Sequence, residues 1–162
     1  MAKKIVKQVS LTQYKANELD EETTNLIEEA KKSALNAYSP YSNFQVGAAL
    51  LLSNGKTILG NNQENACYPA GLCAERVAFF SAKSQYPDCQ IVKVAIVAKP
   101  ANQQQFKMAT PCGSCRQVMS EYENNQEQSI KVYLPDTDGS VYESDSIDNF
   151  LPFKFSNKDL NS

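Results

Sequence analysis

The sequence predicts an α/β domain of three layers, α/β/α, around a mixed five-stranded sheet. Two observations lead to this fold class. Helical and extended patterns alternate in the order α-β-β-α-β-α-β-β-α, and such an order places helices on both faces of one sheet. The chain has 162 residues, of which 42% are hydrophobic, so it is long enough for one core and short for two. We therefore expect a single domain at residues 19–162, preceded by a polar, flexible N-terminal arm at residues 1–18.

Each predicted element has a local signal. Asp20 is a good helix N-cap, the apolar residues after it recur at helical spacing, and Pro40 ends that helix. Asn54-Gly55 lies between two apolar runs and predicts a hairpin, while the polar residues 61–71 are expected to form a functional loop. The predicted helices are residues 20–38, 72–83, 113–122 and 146–151. The predicted strands are residues 46–52, 57–60, 90–98, 130–134 and 141–143.

The charge pattern argues against a nucleic-acid partner. The chain has 16 basic and 18 acidic residues, a net charge of −2, and no basic block beyond Lys3-Lys4 and Lys31-Lys32. A protein that follows a phosphate backbone usually carries a basic face. The expected partner is therefore a small molecule.

The chain is also expected to be cytoplasmic and not bound to a membrane. No apolar run is long enough to cross a bilayer, and residues 1–10 are too short and too polar for a signal peptide. Thiols stay reduced in the cytosol, so the five cysteines are expected to be ligands, nucleophiles or core residues rather than disulfides.

The complete absence of histidine removes several chemistries. Neither a Ser-His-Asp triad nor a Cys-His pair is possible, and any metal must be held by thiolates or carboxylates. A general base that acts near neutral pH must then be a carboxylate, lysine or cysteine with a shifted pKa.

Three cysteines at two predicted helix starts indicate a metal site. Cys112 and Cys115 have the spacing of a zinc ligand pair, and Cys73 begins the preceding helix in the same way. Helix N-termini carry free N–H groups and partial positive charge, which favour thiolates. Three ligands leave the fourth tetrahedral position of a zinc ion open, as in catalytic sites. Glu75, two residues after Cys73, is placed to move protons to and from a water there.

Two other interpretations of these cysteines remain open from spacing alone. Cys67 can complete a closed four-cysteine structural zinc site, and Cys112 with Cys115 can form a dithiol redox pair. A site of three thiolates also carries excess negative charge. Arg76 and Arg116, each adjacent to the motif, are the candidates to offset that charge, and Arg76 is the preferred one.

Four sequence blocks together resemble the cytidine deaminases, in particular the small homotetrameric kind with three zinc-binding cysteines. The blocks are YSNFQVGA at 41–48, NQENACYP at 62–69, GLCAER at 71–76 and TPCGSCRQVM at 110–119. The segment FLPFKF at 150–155 resembles the C-terminal segment of that family. The resemblance covers most of the chain and implies a cytidine deaminase-like fold, one Zn²⁺ per subunit and a homotetramer.

The resemblance also implies roles for individual residues. Zinc ligation falls to Cys73, Cys112 and Cys115, and proton transfer falls to Glu75. The substrate would be held by Asn62 and Glu64 at the ribose, by the backbone of Ala74 and the carbonyl of Thr110 at the pyrimidine edge, and by Phe44 and Phe155 at the face of the base. In this family the aromatic wall can come from neighbouring subunits.

The implied reaction is hydrolytic deamination of free cytidine and 2′-deoxycytidine to uridine and 2′-deoxyuridine with release of ammonia, as in pyrimidine salvage. In that family a zinc-bound hydroxide attacks C4 of the base, and the residue at the position of Glu75 shuttles the protons. Two alternatives are a zinc-stabilised module that binds a nucleoside without turnover and a deaminase of another aminopyrimidine nucleoside.

Overall fold

The computed structural model describes residues 2–160 and contains one six-stranded sheet. The strands are β1 (Thr12–Lys15), β2 (Phe44–Leu52), β3 (Thr57–Asn61), β4 (Ile91–Pro100), β5 (Lys131–Pro135) and β6 (Ser140–Ser144). The helices are α1 (Glu21–Ala34), α2 (Ala74–Gln85), α3 (Gly113–Asn124) and the short α4 (Asn157–Leu160). Short 3₁₀ turns lie at Ala16–Glu18, Tyr68–Ala70 and Ile147–Asn149.

The sheet is mixed, as the sequence predicts, but it has one strand more than expected. Its strand order is β1-β6-β5-β4-β2-β3, with β4 and β5 parallel and the other neighbours antiparallel. The prediction of five strands is wrong because β1 is short and polar and therefore has no apolar pattern. It pairs with β6 from Thr12 opposite Glu143 to Lys15 opposite Ser140. Part of the predicted arm thus belongs to the sheet, whereas the division at residues 18 and 19 stays a prediction.

Helices cover both faces of the sheet, which confirms the three layers. On one face α1 contributes Leu26, Ile27 and Ala30 to a core with Ala49 and Val97 of the sheet. On the other face α2 and α3 pack over a second core, which includes Leu50, Ile96, Phe79 and Met119. Side chains alternate along a strand, so the single run of residues 46–52 supplies both cores.

Two glycines let the helices approach the sheet closely. A Cβ on Gly47 would lie 2.1 Å from the carbonyl oxygen of Ala30 in α1. A Cβ on Gly60 would lie 2.4 Å from the carbonyl oxygen of Ala74 in α2. Only a hydrogen fits at either position. Gly60 thus sets the depth at which the first turn of α2 sits on the sheet.

Two of the four predicted helices differ from the structure by more than a shift of one or two residues at their ends. The first helix ends at Ala34 rather than at Tyr38, because Tyr38 pairs with the following loop instead. The Tyr38 N–H donates to the backbone carbonyl of Asn62 at 3.0 Å, and the Tyr38 carbonyl accepts from the Glu64 N–H at 2.9 Å. The helix predicted at residues 146–151 is a single 3₁₀ turn, Ile147–Asn149. Within residues 2–160, none of the helices combines the length and apolar character needed to cross a bilayer.

Candidate active site

Three cysteine sulfurs meet where α2 and α3 begin. Cys73 is the N-cap of α2, Cys112 is the N-cap of α3, and Cys115 lies buried in the first turn of α3. The three Sγ atoms lie within 4.8 Å of one another, and those of Cys73 and Cys112 are 3.8 Å apart. Tetrahedral zinc with bonds of about 2.3 Å to sulfur separates its ligands by about 3.8 Å. The donor set therefore fits zinc in both chemistry and spacing.

The thiols of this cluster shift one another's pKa. Contact with Cys115, followed by contacts with Cys112 and Arg76, lowers the pKa of Cys73 to about 5, against the opposing effect of burial. The same contact with Cys73, together with burial, raises the pKa of Cys115. One negative charge thus forms readily, and further thiolates need a compensating positive charge. A divalent cation supplies that charge, which again fits a metal site.

Glu75 is a buried carboxyl on the first turn of α2. Its side chain is only 4% exposed, and burial raises its pKa to about 7. Among the described residues, its Oε2 atom is buried and has no hydrogen-bond partner. A buried polar atom without a partner marks the place of a missing ligand or water. A carboxyl with a pKa near neutrality can both accept and return a proton there.

Arg76, which follows Glu75 on the first turn of α2, lies close enough to the cysteines to act on them electrostatically. The charge of its guanidinium contributes to the lowered pKa of Cys73, while its buried Nε has no hydrogen-bond partner among the described residues. One terminal nitrogen donates to the carbonyl of Gly71 at 3.1 Å. Arg76 therefore links the cation-binding cluster to the loop in front of it.

Arg116, the other arginine considered, is bound elsewhere. Its three nitrogens donate to the carbonyl of Pro111 at 2.6 Å, to the carbonyl of Phe150 at 3.1 Å and to Oγ1 of Thr110 at 3.2 Å. These bonds hold the segment in front of Cys112 against the C-terminal region. Arg116 therefore holds backbone segments together, and the predicted role of Arg76 in offsetting the charge of the sulfurs stays a prediction.

A cavity of about 370 Å³ is formed in part by Gly71, two residues before Cys73 in the chain. It is lined by Tyr41, Ser42, Glu64, Asn65, Tyr68 and Gly71. Gln63 and Leu72 exchange two backbone hydrogen bonds of 2.9 Å, which hold the lining loop against the residue just before Cys73. The volume lies in the range of small-ligand pockets. Ser42, Asn65, Tyr68 and Gly71 had no role assigned from the sequence, although all four lie inside the motif blocks.

Glu64 is the charged residue of this cavity. Its Oε2 accepts from the backbone N–H of Tyr41 at 2.9 Å and of Ser42 at 3.2 Å, and its Oε1 accepts from the Ser42 hydroxyl. Burial acts to raise the pKa of Glu64, but these hydrogen bonds outweigh it and lower the pKa. The carboxylate is therefore ionised and held at the cavity wall.

Asn62 and Phe44 are directly connected to each other. The Asn62 amide donates to the Phe44 carbonyl at 2.9 Å and accepts from the Val46 N–H at 2.8 Å. A side-chain amide has two donor hydrogens and two acceptor positions. The Asn62 nitrogen therefore keeps one unused hydrogen, and its oxygen keeps one unused acceptor position. The Phe44 ring is half-buried and lies 5.3 Å from Nζ of Lys107.

The remaining predicted substrate residues lie in different surroundings. Ala74 is fully buried at the first position of α2, directly beside Cys73. Thr110 is exposed and its hydroxyl is bound by Arg116. Phe155 is 57% exposed on the C-terminal segment, where its carbonyl accepts from Gln117 at 2.9 Å. Of the substrate residues predicted from the sequence, only Glu64 is among the residues that line the cavity. The predicted nucleoside contacts of Phe44, Asn62, Ala74, Thr110 and Phe155 stay predictions.

Cys67 lies outside the metal cluster. It is exposed at the N-cap of the 3₁₀ turn Tyr68–Ala70, and the only metal-binding group in residues 2–160 contains the other three motif cysteines. The described residues therefore do not form the closed four-cysteine site. The open three-cysteine arrangement with Glu75 beside it is the one that is present.

Comparison with known proteins gives a consistent result. The family described as the cytidine and deoxycytidylate deaminase zinc-binding region matches residues 20–128. A cytidine deaminase of Halalkalibacterium halodurans is 42% identical over 84% of this chain and 96% of its own, and one of Sporosarcina psychrophila is 42% identical over 83% and 92%. The crystal structure of a Burkholderia pseudomallei cytidine deaminase matches with a TM-score of 0.68 at 39% identity, over 81% of this chain and 97% of that one. By these matches the chain belongs to the zinc-binding cytidine deaminase family.

Proposed function

We propose that this chain hydrolyses free cytidine and 2′-deoxycytidine to uridine and 2′-deoxyuridine with release of ammonia. The observation that carries the proposal is the position of Glu75. It is a buried carboxyl with a pKa of about 7, and one of its oxygens has no hydrogen-bond partner among the described residues. It follows Cys73, a member of the cysteine cluster, by two residues. Hydrolytic loss of an amine needs one group that first takes a proton from water and then gives it to the leaving nitrogen.

Cys73, Cys112 and Cys115 would hold the zinc ion, which would supply the Lewis acidity that makes water a nucleophile near neutral pH. Glu75 takes the proton of the attacking water and passes it to ring N3 as the C4–O bond forms. A second proton passes through Glu75 to the exocyclic nitrogen as the C4–N bond breaks, so one water is consumed and one ammonia is released. The positive charge of Arg76 offsets part of the negative charge of the cluster.

In this proposal the nucleoside is held by Glu64, which lines the cavity, and by four residues that are not among its lining: Asn62, Ala74, Thr110 and Phe44. Glu64 and the unused positions of the Asn62 amide receive the ribose hydroxyls, because both groups are buried or ordered and need partners there. The backbone of Ala74 and the carbonyl of Thr110 contact the edge of the pyrimidine. Phe44 packs against the face of the base.

A homotetramer would complete this site. The proposal is supported by large apolar side chains that stay exposed on or next to β3 and the helices packed on it, at Leu35, Tyr38, Leu59, Tyr68 and Phe80. Phe155, which is exposed in the single chain, would then face the base in a neighbouring subunit. Cytoplasmic location and a role in pyrimidine salvage follow from a site that needs reduced cysteines and a free nucleoside substrate.

The test is metal analysis combined with an ultraviolet and ammonia assay on cytidine and 2′-deoxycytidine. We expect about one zinc per chain and turnover of both nucleosides with a stoichiometric release of ammonia. Zinc-loaded protein that binds cytidine and releases no ammonia would instead be a nucleoside-binding module. Turnover confined to another aminopyrimidine nucleoside would identify a different substrate.

A further inference from the structure

The Ser42 hydroxyl lies between the residues proposed to hold the sugar and the base. Its Oγ donates to Oε1 of Glu64 and accepts from the backbone N–H of Phe44 at 3.1 Å. The backbone N–H groups of Tyr41 and Ser42 donate to the other carboxylate oxygen of Glu64. A single short turn thus supplies three donors to one carboxylate at the cavity wall.

The turn that carries Ser42 is held on both sides. Asn43 adopts a left-handed backbone conformation, with φ of 52°, which asparagine tolerates better than most residues. Its N–H donates to the Ser39 carbonyl at 3.0 Å, and its own carbonyl accepts from Ala101 at 2.8 Å. Ser42 therefore offers its hydroxyl to Glu64 from a well-defined position.

The hydrogen-bond count at Glu64 leaves room for one more donor. A carboxylate has about four acceptor positions, and the turn occupies two on Oε2 and one on Oε1. The remaining position is on Oε1, the same oxygen that the Ser42 hydroxyl contacts. The Ser42 hydroxyl is thus the contact that sets how Oε1 faces the cavity lined by both residues.

We propose that Ser42 is a positioning residue that orients Glu64 toward a sugar hydroxyl of the nucleoside. The inference rests on the proposed function, because Glu64 needs a sugar to bind. Loss of the hydroxyl frees Oε1 to rotate or to bind water, so the sugar contact weakens equally in the substrate complex and in the transition state. Such a loss raises KM and leaves kcat unchanged.

The experiment compares ligands with and without the sugar hydroxyls on the zinc-loaded enzyme. Ser42→Ala is assayed with cytidine as substrate and with 2′,3′-dideoxycytidine as a competitive inhibitor. We expect KM for cytidine to rise about tenfold, with kcat and the inhibition constant of the dideoxynucleoside changed by less than about twofold. Ser42→Thr, which keeps a hydroxyl, is expected to restore KM. Ser84→Ala, on the exposed last turn of α2, is the matched control, and melting curves establish that each variant is folded.

Each other outcome overturns the proposal. An unchanged KM in Ser42→Ala shows that Glu64 does not need the hydroxyl, and an equal loss for both ligands shows a general distortion of the site. The Glu64→Gln variant distinguishes a wrong role for Ser42 from a wrong sugar contact for Glu64. If Glu64→Gln raises KM and Ser42→Ala does not, only the role of Ser42 is wrong. If Glu64→Gln leaves KM unchanged, the sugar contact proposed for Glu64 is wrong as well.

Discussion

Gly60 lies on β3, beneath the first turn of α2. Replacing it with alanine is expected to displace that turn and, with it, the metal site. The added Cβ would lie 2.4 Å from the carbonyl oxygen of Ala74 and 2.6 Å from the backbone nitrogen of Ala78. Both neighbours are backbone atoms, so the whole first turn of the helix must move. To bring the shorter distance to 3.0 Å the turn must move by about 0.6 Å, whereas zinc–sulfur distances tolerate about 0.2 Å.

Two effects of Gly60→Ala follow. Overpacking of this kind costs about 1–3 kcal/mol of unfolding free energy, which corresponds to about 2–12 °C in melting temperature for a domain of this size. Displacement of Cys73 is expected to weaken zinc binding by about tenfold to a hundredfold, the range seen when the surroundings of metal ligands are changed.

The assay measures melting temperature and zinc affinity, the latter by competition with a chromogenic chelator. Gly47→Ala is the matched control, because its Cβ would lie 2.1 Å from Ala30 of α1, which carries none of the cysteines. We expect both variants to lose stability and only Gly60→Ala to lose zinc affinity. Equal zinc affinity in the two variants, or a Gly60→Ala variant as stable as the parent, would refute the reasoning.

Three further predictions concern the active site and the N-cap of α1, the helix on the other face of the sheet. Glu75→Gln is expected to keep its zinc and to lose activity by at least about a hundredfold, since it removes the proton-transfer group; metal analysis with steady-state kinetics checks this, and normal turnover would exclude Glu75 from the mechanism. Cys115→Ser is expected to lose zinc and Cys67→Ser to retain it; equal retention by both would contradict the three-cysteine site. Hydrogen bonds from Thr23 lower the pKa of Asp20 to about 2, so the stabilisation by Asp20 is present above pH 3.8 and is lost as pH falls toward 2. Because Asp20 is largely exposed, Asp20→Ala should cost about 1 kcal/mol at neutral pH and nothing below pH 2, measured by urea unfolding; a cost independent of pH would contradict the assignment.

Several features of the fold were predictable because their signals are local. The Asn54-Gly55 turn, with Gly55 at φ 80°, and the apolar strand β2 follow from residue types within a few positions of each other. Strand β1 was not predictable, because its pairing depends on the free edge of β6 rather than on its own polar residues. The end of α1 was misjudged for the same reason, since Tyr38 gains two hydrogen bonds from a loop that lies more than twenty residues further along the chain.

In the candidate site, too, the sequence predicted the positions of residues but not their tertiary contacts. Residue types alone could not show that the Asn62 amide is already bonded to the strand at Phe44 and Val46, or that Ser42 faces Glu64. These contacts join segments that are 16 to 22 residues apart, and their geometry depends on how β2 and the loop after β3 pack. The motif blocks indicated where such residues lie and left open which of their atoms meet.

The sequence by itself determined which chemistry is available. A chain with no histidine can hold zinc only through thiolates or carboxylates, and the cysteines at two helix starts favour the thiolates. The carboxylate two residues after Cys73 can move protons beside such a site. Only the tertiary structure decided which cysteine sulfurs lie together and how far burial raises the pKa of the carboxyl. Cys73 and Cys112 are 39 residues apart and meet because α2 and α3 pack on the same face of the sheet, while Cys67 is left outside. The pKa of Glu75 rises because that packing excludes water, and burial of this kind is a property of the assembled layers rather than of any local segment.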